Sequence, residues 1–75
     1  MKNNNNNILK NFGERIRFFR KKHDISQEEL AHLSTLDRSY IGGVERGERN
    51  ISLINIFKIA NALNISLNHL FDDMN

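Results

Sequence analysis

The stretch that most narrows the possible folds lies between Ser26 and Gly47. Ser26 with Glu29 three residues on is a capping box, a hydroxyl and a carboxylate placed to satisfy backbone N–H groups at a helix start. Leu30, Ala31 and Leu33 give that helix an apolar side, and Ser34-Thr35 ends it early. Asp37 is the N-cap expected for a second short helix, striped by Tyr40, Ile41 and Val44. Gly47 is a left-handed stop, with Arg46 in the last turn facing the negative end of the helix dipole. Two short helices must therefore meet across a tight turn at Ser34-Thr35-Leu36. Ala31 sits where a larger side chain would hold them apart, and Leu30, Leu36, Ile41 and Val44 can fill the small core between them.

The rest of the chain is helical as well. Phe12, Ile16 and Phe19 fall on one helix face in a segment that starts at Ile8. Lys21-Lys22-His23 suits its C-terminus, and Asp24 tolerates a left-handed stop. Ser52 caps a fourth helix whose expected inward stripe is Leu53, Ile56, Phe57, Ala60 and Leu63, ending at Asn64. Ser66 caps a fifth, with Leu67, Leu70, Phe71 and Met74. The β-branched clusters also fit the helix period, so no strand is expected. The expected fold is all-α, five short helices in one domain over residues 8–75. Asn3 to Asn7 have nothing to bury, so residues 1–7 are expected to be a disordered Asn-rich tail.

A chain of 75 residues buries only a modest core. It has no cysteine, which removes disulfides and thiolate metal sites and leaves a partner subunit as the available staple. No apolar run would span a bilayer, and Met1-Lys2 followed by asparagines lacks the apolar core of a signal peptide, so a cytoplasmic place is expected. The net charge of +2 is unevenly spread. Lys2, Lys10, Arg15, Arg17, Arg20, Lys21 and Lys22 face one carboxylate, Glu14, before His23, and Arg38, Arg46 and Arg49 form a second basic set. Nucleic acid attracts such a footprint. Catalysis finds no support: Glu28 and Glu29 are adjacent on a helix and do not face each other. His23, His32 and His69 lack metal-ligand spacing, and Gly42-Gly43 lacks the strand and lysine of a phosphate loop. No cofactor, metal or membrane partner is expected.

Phe12-Gly13-Glu14-Arg15-Ile16-Arg17, Ser26-Gln27-Glu28-Glu29-Leu30-Ala31, Arg38-Ser39-Tyr40-Ile41, Glu45-Arg46-Gly47, Ser52-Leu53, Ile59-Ala60-Asn61-Ala62-Leu63, Ser66-Leu67 and Leu70-Phe71 occur in this order. The series resembles the phage repressor/Cro-like helix-turn-helix family over residues 9–71. Leu36 to Asn50 is most similar to the controller proteins of restriction–modification systems. That resemblance implies a small homodimeric transcription regulator on a pseudo-palindromic double-stranded DNA operator, acting on its own gene and the endonuclease gene, with RNA polymerase as a further candidate partner. It implies base contacts from Arg38, Ser39, Tyr40 and Gly43, the last without a side chain. Arginine suits the role, since its fork matches guanine O6 and N7. Phosphate contacts are implied for Gln27, Arg46, Arg49 and Asn50, with Arg49 also within reach of a base, and a structural ion pair for Arg20 and Glu45. The chain departs from the pattern at Thr35, where the turn usually has glycine, and at Phe18 and Ile54, which replace polar residues. Gly42 and Gly43 each cost a helix about 1 kcal/mol against alanine.

Ile54 lies about 100° from Leu53 on the helical wheel. With Ile65, Leu67, Phe71 and Met74 it makes an apolar patch expected to form the homodimer interface. Two other readings stay open at this point: a phage, plasmid or toxin–antitoxin repressor, and a helical protein–protein adaptor that does not bind DNA.

Overall fold

Four helix junctions set the architecture. The computed structural model describes residues 5–72, with α1 at Asn5–Lys22, α2 at Gln27–Ser34, α3 at Arg38–Glu45, α4 at Leu53–Ala62 and α5 at Leu67–Phe71. Each of α1 to α4 is followed by a residue of positive φ: Asp24 at 59°, Thr35 at 60°, Gly47 at 76° and Asn64 at 57°. At each, two N–H groups turn back onto the helix's last carbonyls, a Schellman motif. After α2, Thr35 N donates to His32 O at 3.2 Å and Leu36 N to Ala31 O at 2.9 Å. After α4, Asn64 N donates to Asn61 O and Ile65 N to Ala60 O, both at 3.0 Å. Three junctions share one three-residue pattern of left-handed stop, apolar residue and cap: Asp24-Ile25-Ser26, Thr35-Leu36-Asp37 and Asn64-Ile65-Ser66. Ile25, Leu36 and Ile65 all pack against the core.

The next helix then starts on a serine where it can. Ser26, Ser52 and Ser66 Oγ accept from the N–H of Glu29, Asn55 and His69 at 3.0, 3.1 and 3.0 Å. Asp37 differs from expectation. It occupies the N-cap position of α3, but its carboxylate makes no cap bond and instead accepts from Ser39 Oγ. Thr35 takes the glycine-type conformation despite its branched Cβ, and its hydroxyl donates to Ser34 O. Helix α1 takes in Asn5 to Asn7, where a disordered tail was expected, while Met1 to Asn4 lie outside the described residues. Once Phe12 and Ile16 anchor the helix, extending it costs far less than nucleating it.

Helix α3 is held between α1 and α2; α4 packs on α2 and α5, and α5 also on α1. The core draws on every helix: Phe12, Ile16 and Phe19 from α1, Leu30 and Ala31 from α2, Ile41 and Val44 from α3, Ile59 and Ala60 from α4, then Leu63 and Leu70. Two expected stripes shift. Leu33 is exposed rather than turned inward. On α4 the inward face is Ile56, Ile59, Ala60 and Leu63, leaving Leu53 70 % and Phe57 52 % exposed. That helix is apolar nearly all round, and one small core covers only one side of it. Phe18 points away from the core, with Lys22 Nζ 5.7 Å from its ring. No helix among the described residues is long and apolar enough to cross a membrane.

Candidate nucleic-acid interface

The surface around α3 is built outward from a buried charge pair. Glu45, the last residue of α3, accepts from Arg20 Nε at 2.6 Å and Arg20 Nη2 at 3.1 Å. Arg20 Nη1 also donates to Ile25 O at 2.9 Å, so one guanidinium ties α1 to α3 and to the α1–α2 junction. Both residues are less than 10 % exposed. Such close approach needs Gly13, where a Cβ would collide with Val44 O and lie 2.5 Å from Glu45 O.

From this anchor the polar contacts run toward the start of α3. Gln27 Nε2 donates to Glu45 Oε1 at 3.0 Å, and Gln27 Oε1 accepts from Arg38 Nη1 at 3.2 Å. Arg38 and Ser39 are exposed on the first turn of α3. Tyr40 is half-buried, and its hydroxyl accepts from Asn55 Nδ2 at 3.2 Å. The Arg49 guanidinium lies 5.4 Å from the centre of the Tyr40 ring.

The two helix glycines are roofed by arginines. A Cβ on Gly43 would sit 3.1 Å from Arg49 Cγ, and one on Gly42 would sit 3.2 Å from Arg46 Nη1. Gly43 is therefore buried, and the surface at that point belongs to Arg49. Arg46 is exposed and pairs with Glu48 at 3.1 Å. The hydrogen bond from Arg46 holds the Glu48 carboxyl below its ordinary range. Asn50 is exposed in the loop before α4.

Arg38, Gln27, Tyr40, Arg46 and Arg49 thus gather on one surface around α3, with Ser39 beside Arg38 and the Arg20–Glu45 pair buried beneath. Sequence reasoning missed Asn55, whose amide gave no signal beyond helix surface, and the engagement of Gln27 by two charged neighbours. The apolar candidates divide. Ile54 is 69 % exposed and Phe71 is exposed, whereas Ile65 and Leu67 are half-buried against the core. Leu53 and Phe57 enlarge the exposed set, and Met74 lies outside the described residues.

A helix-turn-helix family profile matches residues 16–70, which includes all of α2, α3 and α4. Control protein C.MunI of a Mycoplasma species is 44% identical over 92% of this chain and 95% of its own length. The chain belongs to the restriction–modification controller family. The crystal structure of the controller protein C.AhdI from Aeromonas hydrophila superposes with a TM-score of 0.81 at 57% identity, covering 87% of this chain and 97% of that one. The controller C.Esp1396I, solved as a tetramer with its natural 35-base-pair operator, gives 0.82 at 34% identity, covering 87% of this chain and 86% of that one. As a member of this family the chain is a helix-turn-helix DNA-binding transcription regulator.

Proposed function

We propose that this controller binds a pseudo-palindromic duplex as a homodimer, with α3 in the major groove, and regulates restriction–modification genes from there. The observation that carries the reading is the first turn of α3. Arg38 and Ser39 stand exposed on it, flanked by Arg46 and Arg49. An arginine at a helix N-terminus meets an unfavourable dipole. A bidentate guanine contact gives that placement a purpose. Arg38, Ser39 and Tyr40 read base edges, with Arg49 in the place of side-chain-free Gly43. Arg46 and Asn50 hold the phosphate backbone, as does Arg49 wherever it does not reach a base. RNA polymerase is the further partner, met where the bound dimer adjoins a promoter.

Leu53, Ile54, Phe57 and Phe71 form the dimer contact, an apolar set too large for a small monomer to leave in water without cause. Two-fold pairing there sets the recognition helices about 34 Å apart, one turn of DNA. The test combines assembly with binding. Ile54→Glu should move the protein from dimer to monomer in analytical ultracentrifugation and weaken binding to its selected duplex, with helical content kept. In competition against substituted duplexes, Arg38→Ala should cost roughly 1–3 kcal/mol at one base pair per half-site. Arg46→Ala should weaken all sequences alike. A wild-type monomer that binds its duplex as a monomer, or an equal loss on every sequence from Arg38→Ala, removes the corresponding half of the reading.

A further inference from the structure

Glu48 lies between Arg46 and Arg49 in the loop that follows α3. That end of the helix is negative, so the fold gains nothing from a carboxylate there. Its backbone is pinned: Glu48 N donates to Gly43 O at 2.9 Å, as part of the stop built on Gly47. Its side chain turns to Arg46 and accepts from Nε at 3.1 Å. Both side chains are more than half exposed, and exposed pairs of this kind stabilise a fold little. The hydrogen bond from Arg46, and beyond it the charges of Arg46 and Arg49, hold the Glu48 carboxyl below its ordinary range. It is therefore an anion at neutral pH. A guanidinium holds carboxylate and phosphate with the same fork of N–H groups. Arg46 in the free protein is thus already paired with an anion of the kind it is read to hold on DNA. A phosphate that approaches meets Glu48, whose backbone cannot leave α3. The side chain can swing clear, which gives up the ion pair and leaves a carboxylate beside the phosphates.

We infer that Glu48 is a built-in competitor of the DNA backbone, which occupies Arg46 in the free protein and lowers the hold on every duplex. The inference rests on the reading of Arg46 as a phosphate contact. A competitor for phosphate reads no base, so it shifts specific and non-specific binding together. Its effect is to raise the protein concentration at which an operator fills. A carboxylate that braced Arg46 for DNA would act with the opposite sign, since its removal would weaken binding.

The experiment measures binding across a salt series for the wild-type chain, Glu48→Gln, Arg46→Ala and the double variant. The probes are a duplex selected by the wild-type chain from a random-sequence library and an unrelated duplex of equal length. Glu14→Gln makes the same charge change on exposed α1 surface and serves as the control. Glu48→Gln should tighten both duplexes alike, by about tenfold per dimer at low salt, the scale of two exposed charge contacts. The slope of log affinity against log salt should steepen by about one per half-site, since each freed arginine then neutralises a phosphate unopposed. On the Arg46→Ala background the gain should shrink to that of Glu14→Gln. Unchanged or weaker binding by Glu48→Gln overturns the inference. So does a gain confined to one base pair, which would make Glu48 a base contact. A gain kept in full without Arg46 also overturns it, since the carboxylate would then repel phosphates without occupying the arginine. Should Arg46→Ala weaken binding while Glu48→Gln changes nothing, the phosphate reading of Arg46 stands and the inference alone falls. Should Arg46→Ala leave binding unchanged, both fall.

Discussion

Helix α1 grips the recognition end and the α5 end of the molecule through two arginines, and the grips differ in kind. Arg20 reaches Glu45 on α3, side chain to side chain, with both charges buried. Arg15 reaches backbone: its Nε donates to Leu70 O at 2.6 Å and its Nη2 to His69 O at 2.7 Å. Those carbonyls end α5, where the dipole is negative and a cation is welcome. The same guanidinium lies 5.2 Å from the centre of the Phe19 ring. Removing Arg20 would strand a buried carboxylate. Removing Arg15 would leave carbonyls that water can reach. The recognition end is therefore built to hold or fail as a unit, whereas the α5 end can loosen locally.

The largest effect should come from breaking the buried pair. Glu45→Ala should destabilise by roughly 3–5 kcal/mol, because it leaves the buried Arg20 charge without its carboxylate and with only its bond to Ile25 O. For a domain of this size that unfolds much of the population, and a thermal melt measures it. Replacing both partners by apolar residues should recover most of the loss. A melt unchanged by Glu45→Ala would erase the contrast between the two grips. Next in size is Arg15→Ala, expected to cost roughly 1.5–3 kcal/mol for charged-group hydrogen bonds. Its signature is uneven: amide exchange should rise around Leu70 while Ile41 and Val44 stay protected. Exchange rising equally in α3 and α5 would mean the two ends open together. The smallest effect compares junctions. Thr35→Asn gives the α2–α3 turn the residue that Asn64 supplies between α4 and α5, and should raise stability by up to about 1 kcal/mol. A lower melting temperature would mean that the Thr35 hydroxyl bond to Ser34 outweighs the strain.

The helix count, the caps at Ser26, Ser52 and Ser66 and the left-handed stops at Asp24, Gly47 and Asn64 could all be read from the chain, since each depends on residues close in sequence. The Arg20–Glu45 pair was implied only through family resemblance, and the structure forms it. What escaped was decided between elements. Periodicity could not say which side of apolar α4 turns inward, so Ile59 was passed over for Leu53 and Phe57. Arg15 was invisible because its acceptors are carbonyls, which leave no mark on residue identity. For Gln27 family resemblance implies a phosphate contact, and its bond to Glu45 leaves no mark in the sequence because that carboxylate lies 18 positions away. For Gly43 the resemblance implies a base-facing position without a side chain, and its cover by Arg49 is not legible there because that arginine comes from the following loop.

The repeated junction of left-handed stop, apolar residue and cap also bears on how the chain acquires its shape. Three of the four links are closed by bonds between near neighbours, so little loop-closure entropy stands in the way. Folding dominated by such local contacts belongs to the fast, microsecond-to-millisecond class. The exception is the stretch from Gly47 to Ser52, where no helix claims the backbone. A protease should cut there first, and an inserted peptide tag should be least harmful to folding there, although it would sit beside Arg49 and Asn50.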